Sequence, residues 1–213
     1  MSPSETRSTY HHGALREELI TACLTLIESE GIGAVSLRRV AREAGVSPGA
    51  PYHHFADRAA LLNTIAARGY EQLLADLRAA HGASRSPVRA LGAMIETYVR
   101  FARSHPAYSQ LMYRPELSHP RKDPATETLV NAVLRLVTDT VTDCQRTGHA
   151  PPGDPVPLVT MVWSIAAGLA MLSIDGPLDH MTADRGSDVP ELTAQVSALL
   201  QGLLSGATGV DRT

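Results

Sequence analysis

The sequence predicts an all-α protein of about nine helices, with three small helices, a connecting helix and a larger helical body. Three observations predict it. Hydrophobic residues make up 44% of the 213 residues but aromatics only 4%, so the core must be built from Leu, Val, Ile and Ala. Such a core favours packed helices over sheets. Apolar residues recur at steps of three and four along most of the chain, and Gly and Pro fall between those stretches as punctuation.

The first nine residues are polar, and mobility is expected there. From Gly13 to Glu30, Leu15, Leu19, Ala22, Cys23, Leu26 and Ile27 make one helical stripe, which Gly31 and Gly33 end. A short second helix puts Leu37, Val40, Ala41 and Ala44 on one face, with Ser36 as its N-cap. Gly45-Val46-Ser47 then forms a sharp turn. Gly45 is suited to the left-handed conformation, Val46 plugs the angle and Ser47 caps a third short helix. Pro48 stands at that helix's first position, where its missing N–H costs nothing, and the helix ends near Phe55.

Asp57 caps a longer helix bearing Leu61, Leu62, Ile65, Tyr70, Leu73, Leu74 and Leu77. Five further helical segments follow: Pro87 to Ser104, a short one after Pro106, Pro124 to Arg146, Pro155 to Ile174, and Val189 to about Leu204. The domain division this implies is 10–56, a connecting helix over 57–80, and a body over 81–206. No strand, repeat or low-complexity tract is expected.

Composition excludes several classes. The net charge of −3 supplies no bulk positive field, so any contact with nucleic acid must come from locally placed cations. Cys23 and Cys144 lie on apolar stripes far apart, the pattern of buried free thiols and not of a redox pair or a zinc site. His11 and His12 have no acidic or thiol partner at ligand spacing, and no metal or cofactor is expected. There is no apolar signal-peptide core, and a cytoplasmic location is expected. The uncharged stretch 155–174 has the length of a membrane span, yet it carries prolines, Thr160, Ser164 and Gly168 and is flanked by Asp154 and Asp175. A helix buried in the protein or at a subunit interface is expected instead, with no membrane partner. No nucleophile elbow, phosphate loop or paired-carboxylate arrangement announces an enzyme, and no catalytic residue is assigned.

A helix of about eight residues, a three-residue glycine turn and a second short helix have the geometry of a helix-turn-helix. In such a unit the second helix enters the major groove of DNA while the first braces it across phosphates. The residue types suit the task. Pro48, Gly49 and Ala50 are small enough to allow close approach; Tyr52, His53 and His54 supply hydrogen-bonding groups; Arg58 adds a cation, and Ser36 and Arg38 open the bracing helix. Phe55 and Val46 are core residues on this reading, while His54 stands between a DNA contact and a structural hydrogen bond.

The run Ser36-Leu37-Arg38-Arg39-Val40-Ala41-Arg42-Glu43-Ala44-Gly45-Val46-Ser47, followed by Tyr52-His53-His54-Phe55 and Arg58-Ala59-Ala60-Leu61-Leu62, closely resembles the tetracycline-repressor (TetR) family. The opening Tyr10-His11-His12-Gly13-Ala14-Leu15-Arg16 looks like one branch of it. The resemblance implies a dimer that binds a palindromic operator in double-stranded DNA. On it, Ser36, Arg38, Ser47, Tyr52, His53, His54 and Arg58 match positions that contact phosphates or bases, and Pro48, Gly49 and Ala50 match the tip of the recognition helix. Two departures are Arg58, where the family usually has Lys, and Pro51, where Thr or Leu is commoner.

The body resembles a family domain type named for a Trp-His-Gly signature: Trp163 and Gly168 persist, but Ala167 replaces the histidine. The resemblance implies a ligand-responsive repressor with a pocket for an apolar or amphipathic small-molecule effector. Tyr98, Phe101, Tyr108, Met112, Tyr113, Trp163 and Met171 are candidates for its walls. It also implies a homodimer formed by the last two long helices as a four-helix bundle. The competing readings are an architectural DNA-binding protein without an effector, and a helical protein that binds or hydrolyses a small molecule.

Overall fold

The computed structural model describes residues 3–112, 123–174 and 176–206. Every regular element among them is helical. There are nine α-helices, labelled in chain order α1 (Pro3–Glu30), α2 (Leu37–Glu43), α3 (Arg58–Ala83), α4 (Pro87–Ser104), α5 (Pro106–Met112), α6 (Pro124–Arg146), α7 (Val156–Ile174), α8 (Pro177–Ala183) and α9 (Val189–Gly206), with 3-10 turns at Ile32–Ala34 and Ala50–His53. The described residues form two compact units. One comprises those up to Gly69 with Pro106–Met112 and 123–127; the other comprises 70–105 and those from 128 onward. The division falls inside α3.

In the first unit Leu19, Cys23, Leu26 and Ile27 of α1 pack with Val40 of α2, Phe55, and Leu61, Leu62 and Ile65 of α3. Ala107 and Leu111 of α5 close the same core. α1 begins at Pro3, well before the apolar stripe that predicts it from Gly13. Nothing between Pro3 and Gly13 breaks a helix, and proline is tolerated at a helix's first position.

In the second unit α4 is the central helix: Val88, Leu91 and Ile95 pack with Val141 and Cys144 of α6, Val162 and Ala166 of α7, and Leu200 and Leu204 of α9. Ser86 caps α4 by accepting the Arg89 N–H, and Pro87 occupies its first turn, so the predicted start is met. α4 and α9 cross closely at Gly92. A Cβ there would collide with the Gln201 carboxamide, and the Ser197 hydroxyl donates to the Gly92 carbonyl at 3.4 Å. At the far end Arg103 bridges the Asp179 carboxylate at 3.1 Å and donates to the Ser173 carbonyl, tying α4 to the α7–α8 corner.

Two further expectations are revised. The predicted third helix is a 3-10 turn over Ala50–His53, and α8, absent from the sequence reading, is present. The first difference has a local cause. Pro51 has no N–H, so an α-helical rung back to Ser47 cannot form, and three-residue bonds take over: Ala50 N–H to Ser47, Tyr52 N–H to Gly49 and His54 N–H to Pro51.

Candidate nucleic-acid interface

The reader is built from its caps. Ser36 accepts the Arg39 N–H through Oγ at 3.2 Å and opens α2. Gly45, at φ 69, closes it: the Val46 N–H reaches the Ala41 carbonyl and the Gly45 N–H the Arg42 carbonyl, a paired closure that needs a left-handed residue. Val46 then folds back against the core. The turn therefore has the form the spacing predicts, and it fixes the direction in which residues 47–54 leave α2.

Along that segment burial alternates with exposure. Pro51 and Phe55 are buried, while Ser47, Pro48, Gly49, Tyr52 and His53 are exposed and Ala50 and His54 are half-buried. Tyr52 is 54% exposed, an unusual position for so large an amphipathic ring. Buried Pro51 and Phe55 act as anchors that turn Tyr52 and His53 outward. Ser36 and Arg38, at the start of α2, are exposed as well.

Arg58 is placed differently. Its Nε donates to the Val35 carbonyl at 2.9 Å and its Nη2 to the Ile32 carbonyl at 2.8 Å. The first residue of α3 thus clasps the loop that leads into α2. Asp57 caps the same helix by accepting the Ala60 N–H at 2.8 Å, as its position predicts.

Sequence reasoning did not single out three other side chains that hold the reader. The Arg16 guanidinium lies 5.4 Å from the Phe55 ring centroid, over its face. Arg68 grips both carboxylate oxygens of Glu17, joining α3 to α1. The hydrogen bond from Arg68 holds the Glu17 carboxyl below its usual range, against an opposing effect of burial. Arg39 pairs with Glu30 and so ties α2 to the end of α1. Nothing in a linear reading distinguishes these charges from a solvated helix face.

Cys23 and Cys144 are free thiols, both buried; burial pushes Cys23 up to about 12 and Cys144 up to about 11. No group of three or more potential metal-ligating side chains exists among the described residues.

The residues expected to line an effector pocket are divided between the two units. Tyr108 and Met112, on α5, stand against Gly69 in the first unit. In the second unit Phe101 is buried and stacked on His105 with centroids 4.8 Å apart, and Tyr98 packs against the core around α4. Trp163 and Met171, each 50% exposed, lie on the outer face of α7. Tyr113 lies outside the described residues.

Comparison with known proteins gives concordant matches to both units. Residues 19–65 match the model described as bacterial regulatory proteins, tetR family, and residues 91–196 match a tetracyclin repressor-like C-terminal domain. A Rhodococcus sp. RHA1 protein of unknown function has a similar structure, with TM-score 0.77 and 33% identity, covering 92% of this chain and 98% of the other. A tetR-family bacterial regulatory protein from Rhodococcus RHA1 superposes with TM-score 0.72 at 19% identity, covering 89% and 96%. Among curated proteins, the HTH-type transcriptional repressor KstR2 of Rhodococcus jostii is 27% identical over 120 residues, 56% of this chain and 58% of that protein. The chain spans about half the length of the curated relatives it matches. With a capped helix-turn-helix at its N-terminal end and family matches to both of its units, this chain belongs to the TetR family of DNA-binding transcriptional regulators.

Proposed function

We propose that the protein is a homodimeric, ligand-responsive transcriptional repressor that binds a palindromic operator and is released from it by a small molecule. The observation that carries the DNA-binding part is the exposed edge from Ser47 to His54, held outward by buried Pro51 and Phe55. On this reading Pro48, Gly49 and Ala50 approach the groove, and Tyr52, His53 and His54 hydrogen-bond to phosphates or base edges. Ser36, Arg38 and Ser47 hold phosphates on either side. Arg58 serves the same face from behind, through the two carbonyls it clasps. With a net charge of −3, affinity rests on these few placed groups.

The dimer is supported by an apolar band that the single chain leaves uncovered. α7 is long and apolar enough to cross a membrane, but its outer face mixes Met161, Trp163 and Met171 with Thr160 and Ser164. α9 exposes Leu199 and Leu203, the latter 72% accessible. Two such helices from each of two protomers would bury these side chains in a four-helix bundle, each large apolar residue contributing about 1.5–3 kcal/mol. A soluble, cytoplasmic dimer accounts for this composition better than a bilayer does, since no Lys or Arg flanks the stretch. The body holds the effector, and the protein acts by binding, not by catalysis.

The test is selection of duplex DNA from a random pool by the full-length protein. The reading expects a palindrome whose half-sites are about one helical turn apart, two protomers per duplex, and affinity that falls steeply with salt. Recovery of DNA without two-fold symmetry would contradict it.

A further inference from the structure

Between the second half of α3 and α6 the body carries a cleft of about 440 Å³. Arg78 of α3 lines one wall, and Thr128, Asn131, Arg135, Leu136 and Asp139 of α6 line the other. The α6 residues recur at steps of three and four, so a single helix face is turned to the cleft over about three turns. Arg78 and Arg135 are both exposed. The ion pairs among the described residues engage Arg16, Arg39, Arg68, Arg103 and Arg146, and neither cleft arginine is among them. Two guanidinium groups and a carboxamide therefore face one recess with no carboxylate of the described residues at ion-pair distance. Guanidinium forks are matched to carboxylate and phosphate oxygens.

Beside the cleft-lining Leu136, other apolar residues of α6 are only partly covered. Leu129, Val130, Val133, Leu134 and Val137 are all half-buried, whereas Leu91, Met94, Ile95 and Val99 of α4 are buried. Apolar surface is thus available along the same helix that presents Arg135. Asp139, one turn beyond Arg135, repels an anion from that end and leaves the seat between Arg78, Asn131 and Arg135.

We infer that this cleft binds an amphipathic anion, its carboxylate or phosphate head between Arg78 and Arg135 and its apolar tail along α6. The inference rests on the body being an effector-binding domain, and it names the effector's chemical class.

The experiment titrates full-length protein, by calorimetry, with decanoate, decyl phosphate and decanol below their aggregation concentrations. At least one anionic compound binds at least tenfold more tightly than decanol, and the better of the two identifies the head group. Arg78→Ala with Arg135→Ala weakens that binding about a hundredfold, the loss expected for charge-assisted hydrogen bonds, and leaves decanol unaffected. Asp139→Asn tightens it by about two- to fivefold, a change of opposite sign that no loss of folding produces. Equal binding of decanol, binding that survives the double substitution, or binding of none of the three compounds overturns the site. Release of operator DNA is scored separately. Arginine-dependent binding without release keeps the site and removes its effector role. Release by decanol from the doubly substituted protein keeps the effector reading and removes the site.

Discussion

The two units of this chain are built from the same kinds of residue but finish their cores differently. In the first, Leu19, Leu26, Leu37, Val40, Leu61, Leu62 and Ile65 are buried, and among the described residues the exposed large apolar side chain is Tyr52, whose hydroxyl gives it polar work to do. In the second, α4 is sealed, yet α7 and α9 keep Met161, Trp163, Met171, Leu199 and Leu203 in solvent. The first unit is complete as a folded body and presents a few polar groups. The second leaves large apolar side chains of α7 and α9 exposed. The proposed function gives the two different partners: a hydrated polyanion to one and a second copy of the chain to the other.

The largest effect expected from breaking this contrast lies on the band. Leu199→Asp with Leu203→Asp puts two charges where the reading needs a dry interface, and dimer affinity should fall by about a thousandfold or more, seen as monomer in sedimentation. Operator affinity should fall with it, because a single reader meets one half-site. Next come the thiols, which test how well each core is closed. With both thiols raised by burial, Cys23 and Cys144 should react with a thiol reagent at pH 8 about a hundredfold more slowly than in denaturant. Fast reaction of Cys144 alone would mark the second core as the looser one.

Arg58 gives the next effect. Arg58→Ala removes two hydrogen bonds to loop carbonyls, and operator affinity should drop about tenfold while the salt dependence of binding stays unchanged. If Arg58 held a phosphate in the complex instead, the slope of log affinity against log salt would become shallower by about one. The smallest effect is at Glu17, on the exposed surface. Its folded-state pKa is lowered below the ordinary 4.5, so its stabilisation is complete above that value and is lost as pH falls through the folded pKa. Glu17→Gln should cost less than about 1 kcal/mol at neutral pH and nothing in strong acid, by thermal denaturation.

Much of this architecture was legible in the sequence where local chemistry decides it. Ser86-Pro87 starts α4, Pro124 starts α6, and Gly45 closes α2, because caps, proline and a left-handed glycine act within a few residues. α8 was not legible: Pro177–Ala183 is only about two turns with Leu178 as its buried apolar anchor, too brief for periodicity to register. The 3-10 form of the reader was half legible, since Pro51 announces a missing rung but not what replaces it. The direction of a side chain was the least legible property. Arg58 was recognisable as a cation near the reader, but that it turns toward Ile32 and Val35 depends on carbonyls presented from more than twenty residues away. Trp163 and Met171 likewise look like pocket walls in a linear reading, whereas in the single chain each is half exposed on α7.

The central claim is that operator DNA is read by the exposed edge from Ser47 to His54, on which Tyr52 is 54% exposed. The direct measurement is the affinity of Tyr52→Ala for the selected palindrome, by fluorescence anisotropy, beside the sedimentation mass of the same sample. The account predicts at least a tenfold loss of operator affinity with the dimer mass unchanged. Affinity equal to that of the unsubstituted protein would contradict it.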